Sequence, residues 1–224
     1  MGIDSMKWEE DLVKDIRFND YRDDLDWPFV DKRFCFEETG LPMLPSRSRD
    51  LEDFSVHNQM SLLPRFLSIK ENCRCIVEIG VSRSKRFNNT STSIFLNNKR
   101  DDTHYLGIDI EDKTYLNNID LNINTIQTRS EHIDVVMEKL NSMGVDRIDF
   151  LFIDGWHSIN QVLAEWEYTK LLSDTGVVGF HDTAYHPGPH FFINNLNQDK
   201  WNVMSNACAD IINDYGIGFA WKKI

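Results

Sequence analysis

From Pro64 onward the apolar positions fall into short runs separated by polar turns, and this spacing predicts strands alternating with helices. The runs Cys75-Ile-Val-Glu-Ile-Gly80, His104-Tyr-Leu-Gly-Ile-Asp109, Ile123 to Thr128, Ile148-Asp-Phe-Leu-Phe-Ile-Asp154 and Gly176-Val-Val-Gly-Phe-His181 read as strands. Between them, Ser130 to Met143 and His157 to Leu172 carry helical periodicity, the first with Ile133, Val136, Met137 and Leu140 on one face. No proline interrupts the chain between Pro64 and Pro187. Such a βα rhythm predicts an α/β domain with a mostly parallel sheet and helices on both sides.

The first quarter reads differently. Trp8, Leu12, Ile16 and Phe18 fall near one helical face, then Pro28, Gly40, Pro42 and Pro45 interrupt any long element, and a second helix is expected from about Leu51 to Ile69. Residues 1–60 are therefore expected to form a helical and irregular extension packing on a domain of residues 61–224. Its apolar side chains Trp8, Trp27, Phe29, Phe34 and Phe36 would otherwise be exposed.

Composition narrows the class. At 224 residues and 41% apolar, the chain supports one core of ordinary size, and no apolar stretch is long enough to predict a membrane span. The net charge of -12 repels phosphate backbones, which argues against a nucleic-acid partner. Cys35, Cys73, Cys75 and Cys208 are few and scattered, so free thiols in a reducing compartment are expected. Met1 to Glu10 holds no apolar signal core, and Met6 stands where a myristoylation signal needs Ser or Thr; a cytoplasmic location is the expectation.

In a doubly wound sheet, ligands bind beyond the carboxyl ends of the strands. Here those ends carry Glu78 and Gly80, Asp109, Asp154 and Gly155, and His181 and Asp182. Four carboxylates and a histidine on one rim repel or desolvate one another unless something cationic or hydrogen-bonding satisfies them. The interval from Gly80 to Asp109 suits a nucleotide-binding half in which Asp109 bonds ribose hydroxyls. The glycine fingerprint of dinucleotide folds is missing after Gly80, which disfavours hydride transfer. His157, three residues after Asp154, is a candidate general base; capping a helix or stacking on a cofactor is the alternative. A metal site built from Asp154, Asp182 and one of His181, His186 and His190 is a further candidate, although Pro-Gly-Pro between the last two need not leave them on one helical face. Trp156, in the turn after the fourth strand, is positioned to touch a ligand.

Val77-Glu-Ile-Gly-Val81, Ser91-Thr92 opening a helix, Gly107-Ile-Asp109, Phe152-Ile-Asp-Gly-Trp-His157 and Gly176-Val-Val-Gly-Phe-His-Asp-Thr183 together resemble the class I S-adenosylmethionine-dependent methyltransferases. More closely, they are similar to the small-molecule O-methyltransferase branch that includes macrocin-type sugar methyltransferases and relatives of cephalosporin hydroxylase. The likeness spans residues 73–222. It implies a Rossmann-like class I methyltransferase sheet, mostly parallel, with an antiparallel last strand in Tyr215 to Trp221. It also implies S-adenosyl-L-methionine as cofactor, contacted by Glu78, Gly80, Val81, Thr92, Asp109, Ser130, Asp154 and Trp156. By the same resemblance, His157, Asp154 and Asp182 are catalytic, and Asp154, His181 and Asp182 form a candidate site for Mg2+.

The implied reaction is O-methylation of a small hydroxylated acceptor such as a sugar or glycoconjugate, without nucleic acid or membrane, and with a homo-oligomer left open. Two departures keep rivals in view. A longer basic, Asn-rich loop, Arg83 to Asn89, replaces the family's short glycine turn, and His181-Asp182 stands where metal-dependent relatives place two acids. The rivals are another metal-assisted reaction on the same scaffold and a non-catalytic binding module with a degraded cofactor loop.

Overall fold

The computed structural model describes Asp11 and residues 58–82, 90–183, 186–206 and 216–223. The expected first helix, apart from Asp11, the irregular stretch after it, the loop Arg83 to Asn89 and the beginning of the helix from Leu51 lie outside the described residues. The later part of that second helix is a π turn, Asn58–Leu62, leading into α1, Leu63–Ile69, with Pro64 in its first turn where the missing N–H costs no hydrogen bond.

The βα rhythm becomes β1 Cys75–Ile79, α2 Ser91–Asn98, β2 His104–Asp109, β3 Ile123–Gln127, α3 Ile133–Ser142, β4 Ile148–Ile153, α4 Ile159–Trp166 and β5 Leu172–His181. Then come α5 Pro187–Asn195, β6 Trp201–Asn206 and β7 Ile217–Lys222. The seven strands form one sheet in the order β3-β2-β1-β4-β5-β7-β6. β1 to β5 pair in parallel, while β7 runs antiparallel to both β5 and β6. The expected mostly parallel sheet with a reversed last strand is what the chain forms.

Several boundaries differ from the sequence expectation, each for a local reason. The helix expected over His157 to Leu172 stops at Trp166 and continues as a 3-10 turn, Glu167–Leu171. Its start is set by Ser158, whose hydroxyl accepts from the Gln161 N–H at 3.2 Å. β5 begins at Leu172 because a register irregularity opposite Ile148–Phe150 lets polar Ser173, Asp174 and Thr175 join the strand. Two elements went unread. β6 is short and lies at the sheet edge, so its pattern is weak. α5 opens with Pro-Gly-Pro, which reads as a breaker but suits a first helical turn, where fixed φ helps and no N–H is needed.

Alternation along each strand sorts side chains into two layers. Cys75, Val77 and Ile79 of β1, with Leu151 and Ile153 of β4, join Val136 and Leu140 of α3, Val162 and Trp166 of α4 and Phe192 of α5. Ile76 of β1, with Phe150 and Phe152 of β4, joins Phe66 of α1 and Ile94 and Phe95 of α2. Phe66 meets Phe95 and Phe150 edge-on at 5.3 and 5.8 Å, contacts of about 0.5–1.5 kcal/mol each beyond area burial. Burial on both faces explains why these strands read as nearly continuous apolar runs. Cys73 and Cys75 are free and buried, and burial pushes both thiols up, which makes them packing groups rather than nucleophiles.

Asp11 sits against this core. Its carboxylate accepts from the indole N–H groups of Trp166 at 3.2 Å and Trp201 at 3.0 Å, and its carbonyl accepts from the Asn197 N–H at 2.6 Å. Among the described residues, no helix is long and apolar enough to cross a membrane.

Candidate active site

Strand register brings the polar strand ends together. Ile79 pairs with both Ile108 and Ile153, so Gly80 emerges between Asp109 and Asp154; Ile153 pairs with Phe180, so Asp154 emerges beside His181. Gly80 has φ +84°, and a Cβ there would lie 2.0 Å from the Asp154 carbonyl oxygen. Only glycine allows this turn and this approach of β1 to β4.

Around Gly80 the backbone is tied down. The Val81 N–H donates to Asp109 Oδ2 at 3.0 Å and the Glu111 N–H to Oδ1 at 2.8 Å, while the buried Lys113 ammonium lies 3.7 Å from Oδ2. A carboxylate has about four acceptor positions, so Asp109 retains capacity for hydroxyl donors. The Ser82 N–H donates to Thr92 Oγ1 at 3.0 Å, and Thr90 caps α2 by accepting from the Ser93 N–H. Glu78 lies beneath this rim, fully buried, with Ser91 Oγ donating to one oxygen at 2.6 Å and the Tyr105 hydroxyl donating to the other. Its observed partners are therefore protein groups that join β1 to α2 and β2.

Ser130 is embedded in a second polar knot. Its hydroxyl donates to Glu165 Oε1 at 2.7 Å and accepts from Gln161 Nε2 at 2.7 Å, and its carbonyl accepts from the Tyr168 hydroxyl at 2.6 Å. Neither Glu165 nor Gln161 was singled out from sequence. A signal existed, because Glu165 lies three residues after Val162 on the buried face of α4, where a charge is unexpected. Glu165 Oε2 has no hydrogen-bond partner among the described residues.

Burial pushes both Glu78 and Glu165 up to about 7, outweighing the hydroxyl and amide donors that pull them down. A carboxyl raised above its unfolded value of 4.5 contributes stability that is complete below that value and is lost as pH climbs through about 7. The unfolding free energy should therefore fall between about pH 5 and about pH 8, by roughly 2–3 kcal/mol for each group, and the urea midpoint with it. Glu78→Gln with Glu165→Gln should flatten the profile. A wild-type midpoint that stays level over that range would show that neither carboxyl is held protonated.

The densest chemistry lies at the ends of β4 and β5. Atoms of Asp154, His157, His181 and Asp182 all fall within 4.8 Å of one another. His181 Nδ1 is 2.8 Å from Asp182 Oδ1 and 3.3 Å from Asp154 Oδ1; His157 Nε2 is 3.4 Å from Asp154 Oδ1, and its Nδ1 is 3.6 Å from Asp182 Oδ2. His157, His181 and Asp182 are buried, and Asp154 is half-buried. Burial alone would raise the Asp182 carboxyl, but the facing imidazoles of His181, His157 and His186 outweigh it and hold the group well below the usual carboxylate range. Asp182 also adopts φ +60°, which Asp tolerates better than most residues and which turns the chain out of β5. Two carboxylates with imidazole nitrogens at these separations form a donor set suited to a divalent cation.

α5 completes the cluster. The His186 N–H donates to the Asp182 carbonyl at 2.9 Å, His186 Nε2 lies 3.3 Å from Asp182 Oδ2, and its ring stacks on His157 at 4.6 Å with 6° between planes. The Gly188 N–H donates to the His157 carbonyl at 3.0 Å, and a Cβ at Gly188 would sit 2.4 Å from that oxygen. The Pro-Gly-Pro run thus starts a helix that locks His157 in place. His190 turns elsewhere, with Nδ1 2.9 Å from the Thr183 carbonyl. Trp156 is 41% exposed on the turn before His157.

No family model matches the chain, and no curated protein matches it. Among solved structures it is similar to MycE, a methyltransferase from the mycinamycin biosynthetic pathway in complex with Mg, SAH and mycinamycin VI. The identity is 15% over 79% of this chain and 55% of that one, with a TM-score of 0.51. It is also similar to CalS11, a TDP-rhamnose 3'-O-methyltransferase of calicheamicin biosynthesis, at 13% identity over 84% of this chain and 91% of that one, TM-score 0.51. An rRNA methylase from Streptococcus thermophilus aligns at 13% identity over 75% of this chain and 96% of that one, TM-score 0.52. The chain has the class I methyltransferase fold. It spans little more than half the length of MycE.

Within the class I methyltransferase fold, the residues singled out from sequence separate into two neighbouring groups. Gly80, Val81, Thr92 and Asp109 surround the β1 and β2 ends, and Asp154, His157, His181 and Asp182 surround the β4 and β5 ends. Gly80 and Asp154 join the groups across the β1–β4 pair.

Proposed function

We propose that the protein is an S-adenosyl-L-methionine-dependent O-methyltransferase acting on a small hydroxylated acceptor, a sugar or glycoconjugate. The observation that carries this reading is the convergence of Gly80, Asp109, Asp154, His157 and Asp182 at the carboxyl ends of a parallel sheet of this fold. MycE, which is bound to SAH and Mg, and CalS11, whose acceptor is TDP-rhamnose, support the cofactor, the ion and the acceptor class.

Asp109 would bind the ribose hydroxyls, the Gly80–Val81 turn would approach the cofactor's methionine portion, and Ser130 and Trp156 would wall the adenine side. Asp154, His181 and Asp182 would hold a divalent ion such as Mg2+. Bound, the cofactor supplies an electrophilic methyl group on a positively charged sulfur, and the ion supplies Lewis acidity toward the acceptor oxygen. His157 stands between two carboxylates, with Asp182 Oδ2 3.6 Å from Nδ1 and Asp154 Oδ1 3.4 Å from Nε2, and its imidazole would take the acceptor's hydroxyl proton as the O–CH3 bond forms and the S–CH3 bond breaks. The stacked His186 ring and the Gly188 contact fix the imidazole plane for that transfer. Residues 1–60 would pack beside this domain and help close the acceptor site, a reading supported by the clasp of Trp166 and Trp201 on Asp11.

Calorimetry with S-adenosyl-L-methionine and with SAH tests the reading. Binding should be measurable, and Asp109→Ala should weaken it by about tenfold or more through loss of two ribose hydrogen bonds. A melting curve confirms that the variant is folded. No heat at millimolar ligand with the folded wild-type protein would end the methyltransferase reading.

A further inference from the structure

The ion site of the proposed function mixes two kinds of donor, and the mixture bears on which ion it takes. Asp154 Oδ1, Asp182 Oδ1 and His181 Nδ1 converge with separations from the nitrogen of 3.3 and 2.8 Å. Donors arranged about a divalent ion with bonds of about 2.0–2.2 Å stand roughly 3 Å apart, so His181 is placed as a direct ligand beside the two carboxylates. With the imidazole neutral, two carboxylates match the charge of one divalent cation, which is what a buried site requires. His186, stacked on His157 and 3.3 Å from the outer oxygen of Asp182, braces the cluster from behind.

We infer that this site ranks d-block divalent ions, Mn2+ and Zn2+ among them, above Mg2+. The inference rests on the metal-assisted reading above and names the regulation of that same site by ion identity. Mg2+ is a hard ion that favours oxygen ligands and retains much of its water, whereas an imidazole nitrogen forms a stronger bond with the later, softer ions. An all-carboxylate site would narrow that gap; a histidine at position 181 widens it. Mg2+ remains an occupant at high concentration, because Asp154 and Asp182 still provide two oxygens. His181 therefore sets the order of preference, and the ion that fills the site follows whichever metal is available.

The test uses the full chain stripped of metal, with each ion alone as the probe. Calorimetry and competition against the electron paramagnetic resonance signal of Mn2+ should give one site per chain, with Mn2+ and Zn2+ bound at least about tenfold more tightly than Mg2+. Bound Mn2+ should show nitrogen modulation in pulsed measurements. That modulation should be lost or clearly weakened in His181→Gln, while modulation unchanged there would assign the nitrogen to His157, whose Nε2 lies 3.4 Å from Asp154 Oδ1, and overturn the role given to His181; His181→Glu should move the Mn2+ to Mg2+ affinity ratio toward unity. Because the wild-type ratio and the nitrogen signature are decisive alone, a variant that failed to fold would not protect the inference. Mg2+ bound as tightly as Mn2+, or Mn2+ bound without nitrogen modulation, overturns the inference and leaves the metal-assisted reading standing. Failure of every ion to bind overturns both.

Discussion

Asp182→Asn is expected to reduce methyl transfer by about 10³-fold or more, the scale of several kcal/mol of lost charge stabilisation at an ion site. The substitution is chosen to leave the fold intact. Asn tolerates the left-handed backbone that position 182 adopts, and the amide occupies nearly the same volume. What disappears is the negative charge that His181, His157 and His186 surround at 2.8, 3.6 and 3.3 Å. Without it the proposed ion site would lose a ligand, and His157 would lose one of the two carboxylates that flank its ring. Single-turnover measurement with and without a chelator tests whether the ion is needed. The wild type should stop in chelator and recover on adding a divalent ion, while the variant should be inactive in both conditions. Full turnover by wild type in chelator, together with a silent Asp182→Asn, would make the site metal-free.

His157→Ala should lower kcat by about 10²–10⁴-fold while leaving S-adenosyl-L-methionine affinity near the wild-type value, as removal of a general base does. The backbone at 157 is secured independently of the ring, through the Gly188 N–H and the start of α4 at Ser158, so the loss should be chemical rather than structural. One further reading distinguishes a base from a packing residue: added imidazole should restore part of the rate. If kcat falls by only a factor of a few, the proton leaves by another route, and the ring serves mainly as the stacking partner of His186.

Strand patterns in this chain were legible because a strand buried on both faces must be apolar nearly throughout. β1, β2 and β4 match the residues read as strands to within one position at the carboxyl end. Elements whose stability comes from context were harder to read. β6 is held by pairing with β7 at a sheet edge, and α5 begins with residues whose local preference suggests a break. In the candidate site, Asp109, Asp154 and Asp182 stood out as charges ending apolar runs. Glu165 did not, because its role depends on a neighbour 35 residues away, and His186 was visible only as one of three histidines in a run, its stacking on His157 being set by the start of α5.

The five parallel strands and the polar rim were visible in the chain's pattern, since burial demands apolar runs and a charge ending such a run is visible in one dimension; the reversed last strand came from the family resemblance. Which of those charges meet is a matter of the folded chain. The pairing of Ile153 with Phe180 sets Asp154 beside His181, the left-handed turn at Asp182 swings its carboxylate among three imidazoles, and α5 packs Gly188 against the His157 carbonyl. Distances of about 3 Å between groups far apart along the chain, such as Asp154 and His181, come from sheet register and close packing, which no local pattern encodes.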